Sequence, residues 1–149
     1  MTESKNLARL KAAHVEWGRS GDKANIGTLE NLMADNFGVA SMDEGTPGLK
    51  FAIDSNMKAA SIAYLTSIFD HWNMEYFRPE QYVEQGNKIA MFGWCKYRHK
   101  ATKEPVECRI ANLWEFSEDG QLVSLIDIFD SAKAAAAATA PIRDDTEVS

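Results

Sequence analysis

Midway along the chain the spacing of apolar residues changes its period, and that change limits the folds open to it. Before about residue 70 the spacing is helical. Leu7, Leu10, His14 and Trp17 recur at i, i+3, i+7 and i+10 on one face of a first helix, and Gly18 and Gly21 punctuate its end. Ile26, Leu29, Leu32 and Met33 form a second stripe that Asp22 can cap. Phe37 to Met42 reads as a short strand, and residues 43–54, with Gly45, Pro47 and Gly48, as a long loop. Met57, Ser61, Tyr64, Leu65 and Ile68 share the face of a third helix, opened by Ser55 and ending near Asp70.

From Trp72 the period is two: Trp72, Met74 and Tyr76 alternate with Asn73 and Glu75. Glu84 to Lys88, with Gly86 and Asn87, is a turn. Ile89 to Arg98 and Val106 to Phe116 are long strands joined at Lys100 to Pro105. Asp119-Gly120 is a hairpin signal before a last strand, Leu122 to Phe129. Helices followed by an antiparallel meander predict an α+β domain, with helices packed on one face of one sheet. Ala134 to Ala138 and the polar, acidic stretch Pro141 to Ser149 predict a frayed helix followed by disorder, so the domain is expected over residues 1–133 and a tail over 134–149.

With 149 residues, 45% of them hydrophobic, the chain can bury a core without metal or disulfide staples. The net charge of −6 and the lack of a basic stripe argue against a nucleic-acid partner. Lys96, Arg98, His99, Lys100 and Lys103 read as a solvated hairpin tip. No apolar run approaches the roughly 20 residues that span a bilayer, and residues 1–5 lack the apolar core of a signal peptide, so no membrane partner and a cytoplasmic location are expected. Paired Cys or His spacings and Gly-rich phosphate loops are absent, so neither metal nor cofactor is expected. Cys95 and Cys108 flank a hairpin and could lie close across it; in a reducing compartment they read as two small buried hydrophobes rather than a disulfide.

Three stretches carry a resemblance: Gly21-Asp22 with the helix ending Leu32-Met33-Ala34-Asp35, the hairpin from Lys100 to Glu107, and Leu113-Trp114-Glu115-Phe116 running through Asp119-Gly120 to Ile128-Phe129-Asp130. Over about residues 5–133 the chain resembles the SnoaL-like, ketosteroid isomerase-related branch of the nuclear transport factor 2-like superfamily. The resemblance implies a cone-shaped half-barrel, three N-terminal helices on a strongly curved, mainly antiparallel sheet, and a homodimer formed through that sheet. Isomerases, cyclases, epoxide hydrolases, dehydratases and binders share the fold, so it does not name a reaction.

Carried over residue by residue, His14 stands where the isomerases place an oxyanion-binding Tyr, and Asn112 where they place its partner acid. Their general base falls near Ser41, with Asp43 two residues on. Asp130 matches the Asp that SnoaL-like cyclases carry at the end of the last strand. The Arg-x-Asp of the epoxide hydrolases is missing, its positions being Tyr97 and His99.

Each candidate also has a plainer role. His14, on an apolar face, is either a core histidine or a donor and proton shuttle. Asn112 is in phase with Cys108, Ile110, Trp114 and Phe116, so its amide either bridges to a neighbouring strand or faces a ligand carbonyl. Asp130 either caps a tail helix or acts as a buried acid/base; Asp127, in phase with Val123, Leu125 and Phe129, is the alternative. Trp17, Phe37, Tyr64, Trp72 and Trp114 are the aromatics expected to line a pocket for a small apolar molecule. Phe92 and Trp94 lie opposite in phase to Met91 and Cys95 and should face outward, towards a second copy.

The expected function is therefore an enzyme-like pocket for an apolar, carbonyl-bearing molecule, using Asp130, His14 and Asn112 for isomerisation, cyclisation or hydration. The alternative is a non-catalytic binding or dimerisation module.

Overall fold

Ser4 starts the first helix by accepting a hydrogen bond from the Leu7 N–H at 3.0 Å, and α1 then runs Lys5–Trp17. In the computed structural model, which describes residues 3–41 and 57–143, α1 buries Leu10, Ala13, His14 and Trp17. The second helix is shorter than its apolar stripe suggests: α2 covers only Gly27–Leu32, and Met33 already belongs to strand β1, Met33–Ser41. Asp22 does not cap it. The Glu16 carboxylate of α1 takes that role, accepting from the Thr28 N–H at 2.8 Å and from the Thr28 hydroxyl. Helix α3, Lys58–His71, follows; the Ser55 proposed as its cap, Met42 and the expected loop at 43–54 lie outside the described residues.

Four strands complete the sheet: β2 Trp72–Gln85, β3 Lys88–His99, β4 Pro105–Phe116 and β5 Leu122–Ile128. The five-stranded order is β1-β5-β4-β3-β2, antiparallel except for the parallel pairing of β1 with β5. The expected turns hold, with Gly86 at φ 58° and Gly120 at φ 84° in conformations that favour glycine. Strand β2 is longer than its Trp72–Tyr76 alternation indicates. Pro79 within it is tolerated because β2 is an edge strand whose register slips between Pro79 and Gln81. The sheet is curved and open, and the helices cover its concave side, where one continuous apolar core runs from Leu10 to Ala137.

The tail helix expected from the alanine run is present but docked rather than frayed, and residues 144–149 of the expected disordered stretch lie outside the described residues. Residues Ser131–Thr139 form helix α4, whose Ala134 and Ala137 are buried. The Thr102 hydroxyl, itself buried, donates to the Ala137 carbonyl at 2.7 Å, and the Arg143 N–H donates to Ala101 O at 3.1 Å. An alanine run too weak to hold itself as a helix is held by docking on the β3–β4 hairpin. Among the described residues no helix is long and apolar enough to cross a membrane.

Candidate active-site cavity

On β4 the alternation read from sequence holds: Val106, Cys108, Ile110, Asn112, Trp114 and Phe116 are buried and face the helices. Cys95 and Tyr97 on β3, and Leu125 and Asp127 on β5, share that face with them. The sheet curves away from the helices there and leaves a cavity of about 110 Å³, walled mostly by aromatic and aliphatic side chains and closed in part by Ala134 of α4.

Asp127 is the acid in this cavity. It pairs in register with Asn112 across β4 and β5, so the two side chains project together, and Asn112 Nδ2 donates to Asp127 Oδ1 at 2.7 Å. Burial opposes the carboxylate more strongly than the Asn112 and Ile128 hydrogen bonds favour it, and the Asp127 pKa rises from 3.8 to about 6. Asn112 also donates to its neighbour's carbonyl, Ala111 O, at 3.1 Å. Its amide therefore takes the bridging role and holds the acid.

His14 enters from α1, packed among the rings of Phe77, Tyr82 and Trp114 at centroid distances of 5.5, 5.8 and 5.4 Å. Burial drives its pKa down to about 3, so the ring is neutral. Its Nδ1 lies 2.7 Å from the Tyr82 hydroxyl, which can donate to that nitrogen or accept from it. Nε2 is accordingly the ring's hydrogen-bearing donor or its bare acceptor, and it is buried without a protein partner. The Trp114 indole N–H is buried and unpartnered as well, and both residues wall the cavity. A native fold rarely leaves such groups orphaned without a reason.

The remaining candidates divide. Trp17, Trp72 and Trp114 line the cavity; Phe37 and Tyr64 do not. Phe37 is fully buried, its carbonyl accepting from the Ser61 hydroxyl at 2.9 Å. Tyr64 lies next to Leu65 on α3, but Leu65 and Ile68, three positions apart, are the pair that reaches the cavity. Asp130 stands outside it. Its carboxylate caps α4 by accepting from the Lys133 N–H at 3.0 Å, the plainer of its two expected roles, and it edges a second concavity with Phe92, Arg109 and Ile128. Ser41 pairs in register with Asp127, and Asp43 lies outside the described residues.

Tyr97, which the sequence singles out only as a position of the absent Arg-x-Asp, walls the cavity; loss of water around it makes it hold its proton far more tightly than a free tyrosine, and it shares a hydrogen bond with Trp17. Its phase with Met91 and Cys95 was the available signal. Cys95 and Cys108 pair in register, both facing the cavity.

Neither a protein-family model nor a curated protein matches the sequence. Solved structures do match. A nuclear transport factor 2-like protein of unknown function from Burkholderia pseudomallei K96243 is 17% identical with a TM-score of 0.76, covering 93% of this chain and 100% of its own. A protein named as a SnoaL-like polyketide cyclase from Jannaschia sp. CCS1 is 12% identical, TM-score 0.70, covering 95% and 99%. A protein with a ketosteroid isomerase-like fold from Catenulispora acidiphila DSM 44928, solved in complex with trimethylamine, is 12% identical, TM-score 0.68, covering 94% and 96%. The chain has the cone fold that the nuclear transport factor 2-like, SnoaL-like and ketosteroid isomerase-like proteins share.

Proposed function

We propose that the cavity binds a small apolar molecule bearing a carbonyl group and that Asp127 moves a proton on it without a cofactor. The observation that carries this reading is a partly buried carboxyl, its pKa pushed up to about 6 by loss of water, in the same apolar cavity as two unpartnered ring nitrogens. An acid whose pKa lies near neutrality serves as both base and acid in proton transfer. Asp127 would take a proton from the carbon beside the carbonyl and return it to the same or a conjugated carbon. Charge developing on the carbonyl oxygen would meet the Trp114 N–H and the Nε2–H tautomer of His14. Donors fixed in a dry site stabilise such charge strongly. Asn112 acts through Asp127 by holding its carboxyl in place.

Cavity volume restricts the ligand. An engineered apolar cavity of about 150 Å³ holds benzene, so about 110 Å³ suits a molecule of one ring or less. That the Catenulispora protein was solved with trimethylamine is in keeping with a compact ligand.

The test is α-hydrogen exchange into deuterated water, followed by NMR across a panel of small cyclic and branched ketones. Ligands that bind should quench tryptophan fluorescence, since Trp17, Trp72 and Trp114 wall the cavity. Asp127→Asn should slow exchange by about 10²-fold or more, whereas Asp130→Asn should leave it within a few-fold. Equal rates in wild type and Asp127→Asn would remove the catalytic role. Quenching without exchange would favour a binding protein, the reading suggested by Ser41 and Asn112 where the isomerases carry acids.

The outer face of the sheet suits a second copy of the chain. Gln81, Phe92, Ala111 and Ile128 pair in register as one row across β2, β3, β4 and β5, and Phe92 and Ile128 are each 46% exposed. Trp94 beside them is half-buried under the Arg109 guanidinium, 4.7 Å from its ring centroid. Large apolar side chains aligned on an open face are an assembly surface.

A further inference from the structure

The cavity wall contains a second set of reactive groups that proton transfer does not use. Cys95 and Cys108 are directly opposed in the antiparallel β3–β4 register, both are free thiols, and their sulfurs lie 4.0 Å apart. Opposed residues in antiparallel strands have Cα atoms about 4.5–5.5 Å apart, within the about 4.4–6.8 Å that a disulfide spans. A bond therefore needs small side-chain rotations and no change of register. Both residues are only 4% exposed, yet both wall the cavity, so a small reagent reaches them through the ligand's space.

We propose that Cys95 and Cys108 are a reversible dithiol–disulfide site built into the cavity wall, with hydroperoxides as its oxidant. The two sulfurs are not equivalent. Cys108 Sγ shares a hydrogen bond with the Cys95 thiol, accepts from the Asp130 backbone N–H and has the Lys133 ammonium nearby, all of which favour its thiolate against burial and the Asp130 carboxylate. Cys95 faces burial, its own bond to Cys108 and the Asp127 carboxylate, all of which keep its proton on. Cys108 is thus the attacking thiolate and Cys95 the resolving thiol.

In the first step the Cys108 thiolate attacks the near oxygen of a hydroperoxide, the O–O bond breaks, and the alkoxide or hydroxide leaves and takes up a proton. Cys108 is then a sulfenic acid, oxidised by two electrons, and the peroxide is reduced to alcohol or water. In the second step the Cys95 sulfur attacks the Cys108 sulfur, the S–O bond breaks, and the hydroxide leaves as water with the Cys95 proton. An external thiol reverses the bond by exchange. The disulfide draws two sulfurs together in the wall that also carries Tyr97 and Asp127, so oxidation alters the ligand's space. This site stands on the strand register and does not depend on the proton-transfer reading.

Intact-mass spectrometry of the full chain treated with hydrogen peroxide tests it. The expected result is loss of two hydrogens from the monomer, a peptide linking Cys95 to Cys108 after digestion, and full reversal by dithiothreitol. Cys95→Ala should stop at a sulfenic acid on Cys108 that dimedone captures, while Cys108→Ala should react at least ten-fold more slowly. Gain of oxygen at either sulfur without loss of hydrogens in the wild type, or disulfides only between chains, would overturn the proposal. Dimedone capture at Cys95 alone would overturn the assignment of Cys108 as the attacking sulfur.

Discussion

Asp127 and His14 share a cavity but respond to burial in opposite ways, because burial penalises whichever form is charged. Asp127 rises from 3.8 to about 6, so between these values the folded chain holds a proton that the unfolded chain has released. Stability from this group falls by about 1.4 kcal/mol for each pH unit upward through that window. His14 drops from 6.5 to about 3, so there the unfolded chain holds a proton that the folded chain refuses, and stability rises with pH at the same rate. The two slopes cancel from about pH 4 to 6. Urea denaturation at several pH values in that window should therefore show opposite departures from wild type. Asp127→Asn should lose stability on acidification by about 1.4 kcal/mol per unit relative to wild type, and His14→Gln should gain as much. Parallel profiles for all three proteins would mean that these groups are not buried as described.

At the scale of elements, two departures from the sequence reading have one cause: contact with a distant element overrides local preference. Helix α4 is stable because Thr102 and the hairpin receive it, and α2 starts where Glu16 of α1 supplies its cap. Gly93 on β3 shows the same dependence on a neighbour. A Cβ there would stand 2.3 Å from Arg78 O and 2.9 Å from Pro79 Cα, both backbone atoms of β2 that cannot rotate aside. Gly93→Ala should destabilise the domain by about 1–3 kcal/mol, read by thermal or urea unfolding. An unchanged midpoint would show that the β2 bulge yields easily. The sequence places Gly93 inside a strand but does not say what it meets; the constraint is the register of the opposite strand.

For the molecule as a whole, the exposed row around Phe92 and Ile128 predicts assembly. Light scattering should give a mass near twice 16.6 kDa for the wild type. Phe92→Asp should shift it to the single-chain mass with little change in folding, because Phe92 is already 46% exposed. A monomeric wild type at every concentration tested would remove this interface.

The order of elements, the positions of the turns and the inward or outward phase of the strands are decided by the sequence alone. Helical and strand periods are properties of the local backbone, and turn residues act over a few positions. That phase puts Asn112 and Trp114 inward and Phe92 outward, and the structure agrees. Which inward residues meet was beyond local reasoning. Asp127 reaches the cavity and Asp130 caps α4 because of where β5 ends and how β4 pairs with it; Asn112 meets Asp127, and Cys95 meets Cys108, through register between strands. Both faces of β5 are apolar, so periodicity could not choose between Asp127 and Asp130. Only the curvature and pairing of the whole sheet determine which carboxyl faces the cavity and what surrounds it.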